Sequence, residues 1–269
     1  MFLRNSFFRA FLVFFAAMAW GFTSHSQILN IDKSDTASYS QKTKANIAFN
    51  CGLEIDKQKK TLYDASNSAE ILLQKNHELY IFSGSYRFTY SGSDDFLNAG
   101  YVHLRFRHNY KNKLEPEAYV QYQIDDTRGL MHRSLAGANY RYNFWKADKL
   151  ELNTGLGMMY ENEQWNYAGV DSFKIPPGAT SVINRLMKLN SYIRLDWRAN
   201  ASSDLSVSCF VQSRFSSFHP RIAPSVQWNI SAGKHVGMSV AFTSLYDEAP
   251  VVPINRFYYS FINSLFYKL

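Results

Sequence analysis

From Lys42 onward the chain alternates apolar and polar residues with a period of two, segment after segment. Successive side chains of an extended strand point to opposite faces, so each such run is a strand with one apolar and one polar side. Thr43, Ala45, Ile47, Phe49, Cys51, Leu53 and Ile55 alternate with Lys42, Lys44, Asn46, Asn50, Glu54 and Asp56. Ala118, Val120, Tyr122 and Ile124 oppose Glu117, Gln121, Gln123 and Asp125. In "GLMHRSLAGANYRYNFW", Leu130, His132, Ser134, Ala136, Ala138, Tyr140, Tyr142 and Phe144 share one parity, and Arg133, Asn139, Arg141 and Asn143 the other. The same rhythm continues to the final run, "RFYYSFINSLFYKL", and is weakest over residues 61–74. About twelve strands result, each long enough to cross a bilayer at a tilt, which takes roughly 9–11 residues.

A soluble sandwich or lipocalin also alternates, but three features point to the membrane. Charges lie deep within the polar parity, as at Arg105, Arg141, Glu151, Lys188 and Arg194, which suits a wet interior better than a dry core. Aromatics on the apolar parity gather toward strand ends (Tyr63, Tyr90, Phe96, Tyr110, Phe144, Tyr160, Trp197, Phe215, Tyr246 and Tyr267), as at headgroup level. Connections alternate between short ones, such as "KNKLEP" and "KADK", and long ones, "ENEQWNYAGVDSFKIPPGATS" and "DEAPVVPIN". The expected fold is therefore all-β: a transmembrane up-and-down antiparallel β-barrel of about twelve strands over residues 42–269.

The first residues, "MFLRNSFFRAFLVFFAAMAWGFTSHSQ", have a basic start (Arg4, Arg9), an apolar stretch and small residues at Ser24 and Ser26. That is the pattern of a cleaved signal peptide over 1–26, with a polar lead-in over 27–41. The expected location is the outer membrane of a Gram-negative bacterium. Loss of Arg4 and Arg9 lowers the formal charge from +7 to +5. The remaining cations are dispersed rather than clustered, so nucleic acid is not an expected partner. Cys51 and Cys209 form no disulfide framework and fall on the apolar parity.

"RSLAGANYRYNFW" followed by "LELNTGLGMMYENE" resembles the paired strands of the salt-induced outer-membrane protein family, bacterial domain of unknown function 481. The matching positions are Arg133, Gly137, Ala138 and Tyr140, then Gly155, Gly157, Tyr160 and Glu161. The resemblance implies an outer-membrane barrel and no established activity. Implied partners are membrane lipid, lipopolysaccharide and the outer-membrane barrel assembly machinery.

Candidate chemistry is sparse. His132 and Ser134 share the apolar parity, and outer-membrane phospholipase A, also a twelve-stranded barrel, likewise has a lipid-facing His and Ser one residue apart. There Asn-Gly follows the Ser; here Leu135 and Ala136 do. A triad also needs a third group to orient the base, and none is assignable from sequence. The chain is expected not to be an enzyme, with a phospholipase-type lipid-modifying activity through His132 and Ser134 as one alternative and a soluble secreted ligand-binding barrel as another. "GLGMMY" lacks the third glycine and following helix of a dinucleotide loop, so no cofactor is expected; Gly155 and Gly157 fall on the inner parity, leaving room for opposing side chains. His103 and His108 have opposite parity, and no cluster has metal-ligand spacing. Asp94–Asp95 and Asp125–Asp126 read as solvated turn residues. The main constellation faces the lumen: Arg87, Arg105, Arg107, Arg133, Arg141, Lys188, Arg194, Arg198 and Arg214 among Glu117, Glu151, Glu161 and Asp196. Such a set either rigidifies and plugs a narrow barrel through cross-strand ion pairs or lines a passive channel for small, including anionic, solutes.

Overall fold

In the computed structural model, the described residues are 44–57, 61–91, 94–110, 112–167, 170–233 and 236–267. The expected leader, the lead-in and Leu269 lie outside them. Twelve strands follow one another: β1 (Lys44–Lys57), β2 (Thr61–Lys75), β3 (Glu78–Ser91), β4 (Asp94–Arg107), β5 (Leu114–Asp125), β6 (Leu130–Ala147), β7 (Leu150–Asn166), β8 (Ser181–Asn200), β9 (Ser203–Arg214), β10 (Arg221–Ala232), β11 (Val236–Asp247) and β12 (Phe257–Tyr267). They form a single sheet in which each strand pairs antiparallel with the next in sequence. Among the described residues the ladder ends at β1 and β12, and no pairing joins these two edges. The fold is thus an all-β up-and-down meander.

The sheet curls so that its polar face is concave. Inner side chains bond between strands that are not neighbours: Asn190 of β8 reaches Tyr119 of β5, and Arg221 of β10 reaches Glu163 of β7. Connections after β2, β4, β6, β8 and β10 define a lower end, and those after β5, β7, β9 and β11 an upper end. The β2–β3 turn holds Asn76 at φ 55, a left-handed conformation that Asn tolerates better than most residues and that a tight hairpin requires. The expected face alternation holds along most strands. Leu156, Met158 and Tyr160 of β7 are exposed, while Asn153, Met159, Glu161 and Glu163 between and beside them are buried.

Several positions differ from the sequence reading. The strands run further than the apolar alternation suggested, because their polar ends still pair: β7 continues to Asn166, β5 begins at Leu114 and β11 ends at Asp247, all inside stretches read as loops. A β-bulge between Leu130 and His132 adds one residue and reverses the parity there. Leu130 therefore turns inward, 1% exposed, while His132 and Ser134 stay on the outer face. Tyr110 is no headgroup aromatic. Its ring is buried with Leu72, Leu79 and Ile81 inside the lower end, 4.7 Å beneath the Arg107 guanidinium. Tyr160 belongs to the body of a longer β7 rather than to its end. Asp125 is not a solvated turn residue but the buried last residue of β5, near Arg128 of the following 3-10 turn (Asp126–Arg128). Asp94 opens β4; the side chains of Asp94, Asp95, Phe96 and Tyr267 lie outside the described residues.

Candidate functional site

The concave face carries two charge clusters joined by a layer of amides and rings. In the lower cluster Arg107 Nη2 donates to Glu115 Oε2 at 2.5 Å and its Nε lies 3.6 Å from Glu117. Arg141 Nη2 donates to Glu151 at 3.3 Å, and its Nη1 is 3.9 Å from Glu117. Asn143 Nδ2 donates to Glu115 Oε1, and the Tyr192 hydroxyl donates to Glu117 Oε2 at 2.8 Å. Arg194 and Ser206 both donate to Asp196, each at 2.6 Å. Arg107, Arg141, Arg194 and Glu115 are almost wholly removed from solvent. Buried charge is tolerable only when paired and hydrogen-bonded, and here the strands supply both at fixed register.

Between the clusters, Asn190 Nδ2 donates to the Tyr119 hydroxyl at 2.9 Å, and His103 Nδ1 lies 3.2 Å from Gln121 Oε1. Two glycines make this layer possible. A Cβ on Gly137 would overlap the Tyr119 ring, and one on Gly155 would overlap the Tyr192 ring. Each tyrosine lies over bare backbone and reaches across the interior. In the upper cluster Glu161 accepts from Arg133 and Lys188 and lies 3.2 Å from Arg221 Nη1. Arg221 also donates to Glu163 Oε1 at 2.9 Å and to Asp247 Oδ2 at 2.8 Å.

Above the middle layer is a cavity of about 100 Å³ with an opening toward solvent. Arg105, Arg128, Arg133, Arg221 and His103 line it against the single carboxylate Glu163, beside apolar walls that include Leu135, Trp165 and Phe210. The β11–β12 connection, 248–256, folds over the upper end, where Val252 is 1% exposed against Leu130 and Trp165.

The comparisons with known proteins bear on the same strands. The family described as a protein of unknown function, DUF481, matches residues 64–231. The chain belongs to the DUF481 family. No curated protein and no solved structure matches it. Within the matched span of this DUF481 chain, the residues that carried the resemblance divide between the faces: Tyr140 and Tyr160 are exposed outside, while Arg133, Gly137, Gly155 and Glu161 face the interior. Arg133 and Glu161 pair with each other, Gly137 lies under Tyr119, and Gly155 lies under Tyr192.

The lumen residues expected from the sequence are distributed unevenly. Arg107, Arg141, Glu117 and Glu151 meet in one cluster, Arg133, Lys188 and Glu161 in the other, and Arg194 pairs with Asp196. Arg87 is half-buried against Asp64 of β2, and Arg105 is buried on the cavity wall. Arg214 is half-buried opposite Lys188, while Arg198 lies exposed at the lower rim, beside a bulge. Four members were missed: Glu115, Glu163, Arg221 and Asp247. All lie at strand ends, Glu115, Glu163 and Asp247 within stretches read as loop and Arg221 ahead of the alternation recognised in β10, and each keeps the inner parity of its strand: Glu163 with Glu161, Glu115 with Glu117. Carrying the period of two through polar residues would have found them. On the outer face, no hydrogen bond joins His132 to Ser134 among the described residues. Nor do the described residues hold any group of three His, Cys, Asp or Glu suited to a metal ion; His108 instead lies 2.6 Å from Glu78, outside the interior.

Proposed function

We propose that this DUF481 chain is an outer-membrane β-barrel of a Gram-negative bacterium whose interior is filled by its own polar side chains. Its role is structural, with at most narrow passage for small solutes. The observation that carries this reading is the inversion of faces. Ile47, Phe49 and Leu53 are each 68% exposed and Leu156 62%, in a girdle around a sheet whose concave side buries arginines and glutamates. Water-soluble monomers rarely leave contiguous apolar patches of this extent uncovered, whereas hydrocarbon solvates them. In a membrane the unpaired edges of β1 and β12 must pair, because a strand edge in lipid has no water to satisfy it. Membrane lipid and lipopolysaccharide are then the outer-face contacts, and the assembly machinery the route of insertion. On this reading the role is not enzymatic, and His132 and Ser134 are outer-face strand residues rather than a catalytic pair. The test is fractionation of the mature polypeptide with and without detergent. Recovery in the outer membrane, and aggregation when detergent is removed, is expected. A monodisperse protein in plain buffer overturns the reading.

A narrow channel for small anionic solutes is a second reading, favoured by the basic lining of the cavity. The cross-lumen bonds Tyr192–Glu117 and Arg221–Glu161 weigh against wide passage. Planar-bilayer recordings separate the two, a channel giving conductance steps and a filled barrel none.

A further inference from the structure

The cavity in the upper half of the interior has the chemistry of a binding site. Its volume of about 100 Å³ is somewhat below the roughly 150 Å³ that accommodates a benzene ring, so it suits a ligand of about four or five heavy atoms. One wall is apolar: Leu130, Leu135 and Trp165 contribute to it, and Val252 seals the upper end behind Leu130 and Trp165. The polar wall consists mainly of donors. Arg133 and Arg221 are held by Glu161 and Glu163, whereas among the described residues Arg128 has no carboxylate oxygen closer than 3.9 Å.

Arg128 comes from the 3-10 turn after β5 and is largely buried. Its guanidinium lies 4.5 Å from the centre of the Tyr258 ring and 5.7 Å from that of Trp165, while its nearest carboxylate oxygen, on Asp125, is 3.9 Å away. Its Nε is buried without a hydrogen-bond partner among the described residues. Aromatic faces stabilise a cation without saturating its donors; Arg128 shares one side-chain hydrogen bond with the Tyr258 hydroxyl and lines the cavity, where a further acceptor fits. Burial pulls the Arg128 pKa down, with Asp125 opposing that effect. An anion in the cavity would oppose it further.

We propose that this cavity binds a short-chain carboxylate, with the carboxylate on Arg128 and the alkyl end against Leu130, Leu135 and Trp165. The proposal rests on the filled-barrel reading only for the direction of access, from the upper end behind the 248–256 connection. Binding itself is independent of whether current passes or where the protein resides.

The experiment titrates ¹³C-labelled propionate into the full mature chain in an uncharged maltoside detergent, following line broadening, with phosphate and n-propylammonium as parallel probes. Propionate is expected to bind, phosphate at least about tenfold more weakly because it leaves the apolar wall unfilled, and propylammonium not at all. Arg128→Gln weakens propionate binding tenfold or more. Ala223→Phe fills the cavity without changing a charge and abolishes binding. Both variants are checked for a heat-modifiable folded band. If one fails to fold, the other carries the test. Equal binding of propionate and propylammonium, equal binding of phosphate, or unchanged propionate affinity in a folded variant overturns the proposal. Binding by a protein that proves water-soluble would sustain this proposal while ending the membrane reading.

Discussion

The Tyr192 hydroxyl of β8 donates to Glu117 Oε2 of β5 at 2.8 Å, crossing the interior from one strand to another three places away. The bond exists because Gly155, on the intervening side, carries no Cβ to hold the ring off. A bulky residue at 155 must displace Tyr192 and with it the Glu117 contact. Gly155→Val is expected to cost about 1–3 kcal/mol, the usual penalty for overpacking. Urea unfolding of the heat-modifiable band in vesicles measures it. Combining Gly155→Val with Tyr192→Ala should cost less than the sum of the two, because the clash disappears with the ring.

Glu161 is the anionic centre of the upper cluster, contacting Arg133, Lys188 and Arg221. Glu161→Gln leaves three cations facing one another with only Glu163 and Asp247 nearby. Breaking a buried pair from one side leaves charge uncompensated, so a loss of about 3–5 kcal/mol is expected. Glu151→Gln is the comparison: its side chain is 21% exposed, water takes over part of its role, and the loss should be well under half as large. The same unfolding assay reads both, and equal losses would mean that the upper cluster is no more buried in effect than the lower rim.

The meander and its faces were legible in the sequence because side-chain alternation is a local property of each strand. Even β2, with its weak alternation, emerged as Thr61–Lys75, held by neighbours on both sides. What could not be read was where alternation slips or continues without apolar residues. The bulge at Leu130 reverses a face through one inserted residue whose side chain looks no different from its neighbours. Glu115, Glu163 and Asp247 are strand residues that resemble loop residues, since polarity at a strand end signals both a turn and an inward face. Arg221 and Glu161 are 60 positions apart in sequence, and only the curl of the sheet brings them together.

Val252 fixes the 248–256 connection to Leu130 and Trp165. Val252→Asp places a charge in an apolar pocket where it has no partner among those neighbours, so the connection should unseat. Faster proteolytic nicking within 248–256 is expected, together with unchanged strand content by circular dichroism. Should a channel exist beneath, the variant would also show conductance steps where the parent chain is silent. Nicking at the parental rate would mean that contacts other than Val252 hold the connection down.

His132 and Ser134, which the sequence offered as the residue types of a hydrolase, lie on the outer face of β6. The bulge that buries Leu130 leaves them half-exposed and without a mutual bond. Ser134→Ala is expected to leave lysophospholipid release from reconstituted membranes at the background of protein-free vesicles, as is the parent chain. Release by the parent that disappears in the variant would restore the enzymatic alternative.

Leu156 and Trp197 test what surrounds the sheet. Leu156 lies within the body of β7, 62% exposed, and Trp197 near the lower end of β8, 45% exposed. In water, an arginine at either position is a surface substitution worth no more than about 0.5 kcal/mol. In a bilayer the cost depends on depth, about 2–4 kcal/mol near the midplane and about 0–1 near the interface. Leu156→Arg is therefore expected to destabilise the vesicle-embedded protein by at least about 2 kcal/mol and Trp197→Arg by considerably less, both read from urea unfolding. Because both residues face away from the charged interior, the difference between them reports the outer solvent alone, and two equal, small effects would place water rather than hydrocarbon around the sheet.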